Sequence, residues 1–430
     1  MKSRGLLPAL APVTVLVAMV LLAAALSGCG EKGFKAYDAM PFGPDRFLAT
    51  ALTEEAANLT SEPANGTVLV ADRLYCLDAA GKARWSLSLH GGVPGLIAAC
   101  PSLYRAVVGV TMLPAQTGSE TFRVLLVDQD SSGSNAKVTV IREFSVPQDE
   151  APQLVLARDG QSLALVRAGQ VGQTAGAGSA PSVEIMDLSG KTIRQLSVLT
   201  GEQLASWSTD ESLSSVALSL VISKDAGQSF ETTFSRASST ENLTSALEQD
   251  ASLSPDGRLV AVGSREEPQA DGTSGQQTLT LYSWDSGLKQ LWARSIAGQG
   301  AQFNGDGTML LSSWSMTTGS GSPAPSAPGQ TTSTVEVLSA SDGKTLWKTE
   351  TQSAGAGLLP RWLDQRTLLA VGRGGPGEGA PYDLTLVDLS GAQPVAKKSS
   401  TSLMPAVISF DGHSALGFGS RNNLVPVTIR

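Results

Sequence analysis

The sequence predicts an all-β protein, a β-propeller of about seven four-stranded blades, on three observations. Two kinds of tight turn alternate along the chain, and each kind recurs roughly every 50 residues, which is a spacing typical of propeller blades. The segments that flank the turns are short and alternate between apolar and polar residues, as half-buried strands do. The 430 residues include 45 glycines and 22 prolines but only 16% charged residues, which favours a fold with many turns.

The first kind of turn joins a short strand to an apolar strand, which we call strands A and B of a blade. Most of these turns carry a glycine, because a Cβ clashes at the positive φ that the turn requires. The clear copies are 154–166, 251–264, 301–313 and 407–419, and the weaker copies are 204–219 and 360–372.

The second kind of turn joins two alternating strands, which we call strands C and D. Each copy has a short turn rich in Asp, Ser and Gly, which is the pattern of a β-hairpin. The copies are 74–89, 183–198, 279–296, 335–350 and 384–399, with a looser one at 123–144.

The two ends of the chain decide the number of blades and the way in which the ring closes. The hairpin at 74–89 precedes the first clear A–B pair, and the A–B pair at 405–419 has no full C–D partner after it. We therefore expect N- and C-terminal strands to complete one blade together, which closes the ring and removes an exposed sheet edge. The alternative is eight blades, with residues 425–430 forming another strand.

The repeats resemble those of two known groups of propellers. The A–B segment "SPDGRLVAV" resembles the WD40-like (PD40-type) repeats of periplasmic bacterial propellers. The C–D segments "LYCLDAAGKARW" and "VLSASDGKTLW" resemble the repeats of pyrroloquinoline-quinone-type propellers. The resemblance covers most of residues 66–430 and implies the propeller fold much more specifically than any function.

Three tryptophans hold the position at which the quinone-type repeats place a packing residue. In those repeats the tryptophan docks onto the neighbouring blade, so the resemblance implies blade packing for Trp85, Trp292 and Trp347. One such ring buries roughly 150–250 Å², enough to dominate a contact between two sheets. The quinone itself also needs calcium ligands and a catalytic aspartate, which we cannot place in this sequence. We therefore expect no cofactor.

The N-terminus has the organisation of a bacterial export signal. Residues 1–28 begin with the basic Lys2 and Arg4 and continue with an almost wholly apolar stretch at 13–26. A basic start followed by an apolar core is typical of a secretory signal peptide. The alternative is an uncleaved transmembrane anchor.

The signal ends in "LSGC", which resembles the lipobox of bacterial lipoproteins and makes Cys29 the predicted lipidation site. The resemblance implies that Cys29 receives a diacylglyceryl thioether and that the chain is cleaved before it. Two or three acyl chains anchor a protein stably to a membrane. We therefore expect a lipoprotein signal peptide at 1–28, a lipidated tether at 29–47 and the propeller at 48–430. The predicted location is the cell envelope, extracytoplasmic and lipid-anchored.

Two further cysteines, Cys76 and Cys100, lie within the predicted propeller. An exported protein folds in an oxidising compartment, which permits a disulfide between them. The alternative is two separate buried thiols in strands.

The segment "DQDSSG", residues 128–133, has the opening of a calcium-binding loop. The twelfth position is Thr139 and not the usual glutamate, and strands are predicted on both sides. We interpret the segment as a hairpin turn rich in Asp and Ser. A calcium site through Asp128 and Asp130 is the alternative.

The longest predicted connections all join strand B to strand C, so they share one rim of the ring. They are 111–121, 167–182, 264–277, 315–333 and 372–383. Loops on a rigid scaffold are where binding residues tend to lie, which makes this rim a candidate working surface. The alternative is padding, because long surface loops cost little free energy.

These features predict a lipid-anchored, monomeric, non-catalytic binding or scaffold protein that uses one loop-decorated face or its central channel. The expected partner is a protein, a peptide or an envelope polymer. The net charge of −8 argues against nucleic acid, which needs a basic surface. The alternative is an extracytoplasmic enzyme, a lactonase or metal-assisted hydrolase with carboxylates at the channel mouth. The predicted inner strands offer mostly small or apolar residues, so we assign no catalytic residue.

Overall fold

The structure is a computed structural model of the 430-residue chain. It describes residues 35–427 except 53–72, 90–91, 101, 113–118, 131, 148–151, 168–180, 199–201, 225–226, 238, 266–276, 297–298, 319–329, 354–357, 374–380, 404, 411 and 419–423. Within these ranges no helix has the length and hydropathy needed to cross a membrane.

The described residues form eight antiparallel sheets that follow one another along the chain. Blades 1 to 4 consist of β1 (Lys35–Phe42), β2 (Arg46–Leu52), β3 (Arg73–Leu77), β4 (Ala83–Ser88); β5 (Gly92–Ala99), β6 (Arg105–Met112), β7 (Ser119–Gln129), β8 (Ala136–Pro147); β9 (Gln153–Leu156), β10 (Ser162–Arg167), β11 (Ser182–Asp187), β12 (Thr192–Ser197); and β13 (Glu202–Thr209), β14 (Ser215–Lys224), β15 (Gly227–Arg236), β16 (Ser239–Ser245).

Blades 5 to 8 complete the ring. They consist of β17 (Glu248–Leu253), β18 (Leu259–Arg265), β19 (Gln277–Trp284), β20 (Leu288–Ile296); β21 (Gln299–Phe303), β22 (Met309–Thr318), β23 (Gln330–Ser339), β24 (Thr345–Ser353); β25 (Leu359–Trp362), β26 (Thr367–Arg373), β27 (Tyr382–Asp388), β28 (Val395–Thr401); and β29 (Pro405–Ile408), β30 (Ala415–Phe418), β31 (Leu424–Val427).

Strand A is innermost and strand D outermost in each four-stranded blade. Every strand pairs with the next one in sequence, so the order within a sheet is A-B-C-D. First strands of neighbouring sheets contact each other, as β1 does with β5 and with β29. The first strands therefore surround a central channel, as expected for a propeller.

The structure confirms the propeller and its four-stranded blades but has eight blades, so the count of seven was wrong and the alternative of eight is correct. The additional blade arises from β1 and β2, which form the A–B pair of blade 1. Their turn contains Gly43, Pro44 and Asp45 in an order unlike that of the other A–B turns. Residues 35–47, part of the range assigned to a tether, are thus within the first sheet.

Closure of the ring also differs from the prediction. Blade 1 takes all four strands from the N-terminal side, and the described strands of blade 8 are β29, β30 and β31. Among the described residues no sheet combines strands from both ends. Instead, Phe47, Tyr75 and Leu77 of blade 1 pack against Val407 and Leu416 of blade 8. The ring is closed by an apolar interface between the sheets of blades 1 and 8.

Eight apolar clusters of described residues hold the blades together, and each lies between two neighbouring blades. Leu163 and Leu165 of blade 3, for example, join the cluster that contains Phe122 and Val124 of blade 2. Burial of apolar side chains gives roughly 1.5–3 kcal/mol each, so these interfaces supply much of the stability of the ring.

A β-bulge recurs in strand D and places the packing tryptophans. In blade 6, Val337 pairs with Trp347 and Leu338 pairs with Thr345, which leaves Leu346 as the extra residue. Leu346 is exposed, whereas the Trp347 side chain reaches the cluster shared with blade 7. Similar register shifts occur in blades 1, 2, 3 and 5. Because the bulge adds one residue to strand D, Leu346 can face solvent while the next residue, Trp347, packs against the neighbouring blade.

Candidate functional site

The two rims of the ring are distinct. In blade 6, Met309 pairs with Ser339 beside the C–D turn, whereas Thr318 pairs with Gln330 at the opposite end of the sheet. A–B and C–D turns therefore share one rim, which we call the turn rim. B–C and D–A connections share the other, which we call the connection rim.

Most of the candidate working surface at the connection rim lies outside the described residues. This applies to the central parts of all five long connections, at 113–118, 168–180, 266–276, 319–329 and 374–380. The strands that flank these segments end at the connection rim, as predicted. The pockets that can be described are on the turn rim.

Aspartates on the turn rim stabilise the turns themselves. Asp187 Oδ1 accepts backbone N–H groups of Ser189 at 2.9 Å and Lys191 at 3.0 Å. Its hydrogen bond from the Ser189 hydroxyl lowers the pKa of Asp187. Asp78 likewise accepts the backbone N–H groups of Ala80 and Lys82. These carboxylates have a structural function, because each one closes its own turn.

A pocket of about 540 Å³ lies on the turn rim between blades 1 and 2, and we call it the blade 1–2 pocket. Pockets of this size are typical of small-ligand and peptide side-chain sites. The walls include Arg46, Tyr104, Arg105, Asp128, Gln129 and Asp130.

Arg105 fixes one wall of the blade 1–2 pocket. Its Nε lies 2.6 Å from Asp128 Oδ1 and its Nη2 lies 3.2 Å from Oδ2, which is a bidentate ion pair. The remaining nitrogen, Nη1, donates to the carbonyl of Gly160 in blade 3 at 2.8 Å. A planar guanidinium held at three points is preorganised for recognition, because little rotamer freedom is left to lose.

Arg46 and Tyr104 form the opposite wall. The Arg46 guanidinium lies 4.9 Å from the centroid of the Tyr104 ring, within cation–π distance. It donates to the side-chain oxygen of Gln129. The Tyr104 hydroxyl donates to Asp45 at 2.6 Å, and this hydrogen bond raises the pKa of Tyr104. Gly43 permits the arrangement, because a Cβ there would lie 2.5 Å from the ring.

The segment at 128–133 forms the predicted hairpin turn. Gln129 pairs with Ala136, and the strands on either side are β7 and β8. Asp130 accepts hydrogen bonds within the turn, and the Ser132 hydroxyl lowers its pKa. Asp128 is held instead by Arg105. Among the described residues no three His, Cys, Asp or Glu side chains are grouped so as to hold a metal ion.

A second pocket, of about 460 Å³, lies where the A–B turns of blades 2 to 5 meet at the mouth of the channel. Backbone hydrogen bonds join these turns: Arg158 N–H donates to the Glu211 carbonyl at 2.8 Å, and Glu211 N–H to that of Pro255 at 3.1 Å. The Arg158 side chain also pairs with the Glu211 carboxylate at 2.6 Å. Asp256 accepts the backbone N–H of Arg258 at 3.1 Å.

The three tryptophans lie at blade interfaces. Trp85 is 8% exposed and packs with residues of blades 1 and 2. Trp292 is half-buried between blades 5 and 6, and its Nε1 donates to the Ala340 carbonyl at 2.9 Å. Trp347 is half-buried between blades 6 and 7. Sequence analysis missed Trp284, which is 1% exposed and lies under the Arg236 guanidinium at 4.9 Å.

The cysteines of the propeller lie in different interfaces. Cys76 belongs to the cluster between blades 1 and 2, and Cys100 to the cluster between blades 2 and 3. Both are free, buried thiols in the structure, which corresponds to the second of the two predicted alternatives. Burial raises the pKa of Cys76 to about 12, so its thiolate is strongly disfavoured. Cys29 lies outside the described residues.

These features define the chain as a WD40-like β-propeller with eight blades. The crystal structure of Chaetomium thermophilum Sqt1 bound to the N-terminus of the ribosomal protein L10 is similar, with a TM-score of 0.51, 13% identity and coverage of 92% of this chain and 97% of that one. The Dos1 propeller has a TM-score of 0.50, 12% identity and coverage of 90% and 91%. No family model and no curated protein matches the chain. These similarities show the fold alone.

Proposed function

We propose that the protein is a lipid-anchored, extracytoplasmic propeller that acts as a non-catalytic binding or scaffold protein. Its partner is another protein, a peptide or an envelope polymer. The signal-like residues 1–28 and the lipobox-like segment ending in Cys29 support the anchor. The resemblance of the A–B units to repeats of periplasmic propellers supports the location.

The blade 1–2 pocket is the observation on which the binding proposal rests. Its charged groups are already paired or hydrogen-bonded, as Arg105 is with Asp128 and Arg46 with Gln129. Both oxygens of Asp128 accept hydrogen bonds from Arg105, which fixes the carboxylate and the guanidinium as one rigid wall. A rigid set of donors and acceptors suits recognition of a partner better than proton transfer.

A peptide segment is the partner that the fold comparison favours. The similar Sqt1 propeller is described bound to the N-terminus of another protein. Propellers with this arrangement of blades can therefore hold a chain end, and we extend that property to this protein. The guanidinium and carboxylate groups of the blade 1–2 pocket offer hydrogen bonds to both N–H and C=O groups of a peptide.

Affinity enrichment from native membranes tests the binding proposal. The wild type is compared with Arg105→Met, which removes one wall of the blade 1–2 pocket, and with Arg142→Met as a matched control. Arg142, like Arg105, is a half-buried arginine of blade 2 in an ion pair, with Glu184 of blade 3 at 2.5 Å, but it does not line the pocket. We expect one partner to be retained by the wild type and the control and lost from Arg105→Met. Retention of the same proteins by all three would contradict the proposal.

Replacement of Cys29 by serine tests the anchor separately. The wild type should fractionate with membranes and incorporate a labelled fatty acid, whereas Cys29→Ser should do neither, since no thioether can form. Labelling of the serine variant, or membrane association equal to that of the wild type, would contradict lipidation at Cys29.

A further inference from the structure

Arg361 is a half-buried arginine in the interior of the ring. It lies on β25, the innermost strand of blade 7, and its Nη2 atom is buried with no hydrogen-bond partner in the described part of the chain. Burial lowers the pKa of Arg361. A buried nitrogen of a charged group without a hydrogen-bond partner is unfavourable, so Nη2 calls for a physical explanation.

Other part-buried arginines of this fold have clear partners. Arg105 pairs with Asp128, and Arg236 donates to the carbonyl of Trp284 at 2.6 Å. The guanidinium groups of these two arginines are thus held by an ion pair or a hydrogen bond. Arg361 lies instead on an innermost strand, beside the channel.

The alternation of side chains along β25 shows which way Arg361 points. Trp362 packs against blade 6, where its Nε1 donates to the Gln302 carbonyl at 3.4 Å. Leu363 packs instead in the cluster between blades 7 and 8. Neighbouring residues of a strand point to opposite faces, so Arg361 shares the Leu363 side and points toward blade 8.

The start of β25, on the same side of the strand, lies at the connection rim. Leu359, two residues before Arg361, is 58% exposed at the start of the strand. Blade 8, which Arg361 faces, has three strands among the described residues. A ligand that enters from the connection rim therefore meets the apolar Leu359 first and the guanidinium of Arg361 behind it.

The inner strands carry two further polar atoms without partners. The hydroxyls of Ser206 and Ser208, on β13 of blade 4, are buried and have no hydrogen-bond partner among the described residues. Unsatisfied polar atoms on inner strands indicate that the interior of the ring takes up water or a polar ligand.

We propose that Arg361 is the anion-binding residue of a ligand site at the inner edge of blades 7 and 8, reached through the connection rim. Its ligand carries a carboxylate or a phosphate group, because both match the planar fork of a guanidinium. The exposed Leu359 favours a ligand with an apolar part next to the charge. The site is separate from the blade 1–2 pocket and does not depend on the binding proposed there.

Thermal unfolding of purified protein tests the site with small anions. The wild type, Arg361→Met and the control Arg258→Met are compared in sodium chloride, sodium phosphate and sodium butyrate at equal ionic strength. Arg258 is a suitable control because its side chain is 72% exposed and lies on the turn rim. Butyrate supplies a carboxylate with an apolar tail, and phosphate supplies the other anion.

In chloride we expect Arg361→Met to unfold at a higher temperature than the wild type, because the lone charge is replaced by an apolar side chain of similar length. In butyrate or phosphate the wild type and Arg258→Met should gain about 1–2 °C more than Arg361→Met does. A gain in butyrate alone identifies a carboxylate ligand, and a gain in phosphate alone identifies a phosphate ligand.

Equal shifts in all three proteins with both anions would overturn the proposal, because a general salt effect acts on them alike. A lower unfolding temperature of Arg361→Met in chloride would also overturn it, since that result means that Arg361 has a stabilising partner without ligand. If Arg361→Met does not fold, Arg361→Lys replaces it. Lysine keeps the charge but lacks the planar N–H donors of a guanidinium. Butyrate or phosphate should therefore raise the unfolding temperature of Arg361→Lys less than that of the wild type.

Discussion

Arg294 of blade 5 and Glu336 of blade 6 form an ion pair across the boundary between their blades, with 3.1 Å between Nη2 and Oε1. Glu336 is only 3% exposed, and the Thr345 hydroxyl donates to the same Oε1 at 2.6 Å. The Arg294 guanidinium also donates to the carbonyl of Gly343 at 2.5 Å. One glutamate thus connects strands C and D of its own blade to strand D of the preceding blade.

The same arrangement occurs three blades earlier in the chain. Arg142 of blade 2 lies 2.5 Å from Glu184 of blade 3, and the Thr192 hydroxyl donates to that glutamate. Both glutamates follow a valine in strand C, and both threonines follow a Gly-Lys pair in the C–D turn. A repeat motif that looks like a hairpin signal therefore also specifies an interblade contact.

Removal of Arg294 should destabilise the ring strongly. Arg294→Met leaves Glu336 buried and without its charge partner, which we expect to cost about 3 kcal/mol in the free energy of unfolding. Equilibrium urea unfolding measures the loss. Lys344→Met is the control, because Lys344 is 81% exposed and a solvent-exposed ion pair such as that with Asp342 contributes little to stability. Equal losses for both variants would contradict this ranking.

Trp292 and Gly343 should show energetic coupling. Gly343 has φ of 69°, and a Cβ there would lie 3.0 Å from Trp292 Cδ2. We expect Gly343→Ala to cost about 1–2 kcal/mol and Trp292→Ala about 3 kcal/mol. The double variant should lose less than the sum, because truncation of the indole removes the clash. Additive losses in a double-mutant cycle would show that the two residues do not constrain each other.

The thiols should resist modification in the folded protein. Cys76 and Cys100 are both fully buried, and the pKa of Cys76 is raised to about 12 by burial. Ellman's reagent at pH 8 should therefore react only after unfolding, and it should then detect both thiols without prior reduction. Detection of neither thiol until a reductant is added would instead show that the two cysteines form a disulfide.

The turn aspartates should contribute to stability above pH 4 and lose that contribution in acid. Hydrogen bonding to Lys344 holds the pKa of Asp342 at about 2, below the value of about 3.9 expected in an unfolded chain. The depressed folded-state pKa means that stabilisation is present above pH 4 and declines as the pH falls toward 2. Asp342→Asn should therefore show a shallower acid dependence in thermal unfolding. An unchanged slope would rule out this contribution.

The repeated turns explain why much of the fold could be predicted. Gly160, Gly257, Gly307 and Gly412 all have positive φ, so the A–B turns of these four blades need a residue type that is visible in the sequence. Blade 1 was missed because its A–B turn has another pattern and follows directly after the presumed leader. Only the C–D hairpin of blade 2 was recognised from the sequence, because the A–B turn of this blade, at 100–104, contains no glycine.

The pockets could not be predicted in the same way. Arg46 and Tyr104 are 58 positions apart and come together only because blades 1 and 2 are neighbours. Contacts of this kind depend on the angle between two sheets, which no local pattern specifies. Arg361 could not be singled out from the sequence either. What distinguishes it is that its buried Nη2 has no hydrogen-bond partner in the described part of the chain, and no sequence pattern reports this.

The interface between blades 8 and 1 has a consequence for the order in which the molecule can be completed. Phe47 and Tyr75 are covered by Val407 and Leu416, which lie more than 300 positions later in the chain. Because no described strand is exchanged between the two blades, blade 1 can form early, but one of its apolar surfaces stays exposed to water until blade 8 has been made. The interface between blades 8 and 1 is thus the last of the interblade contacts to form during synthesis.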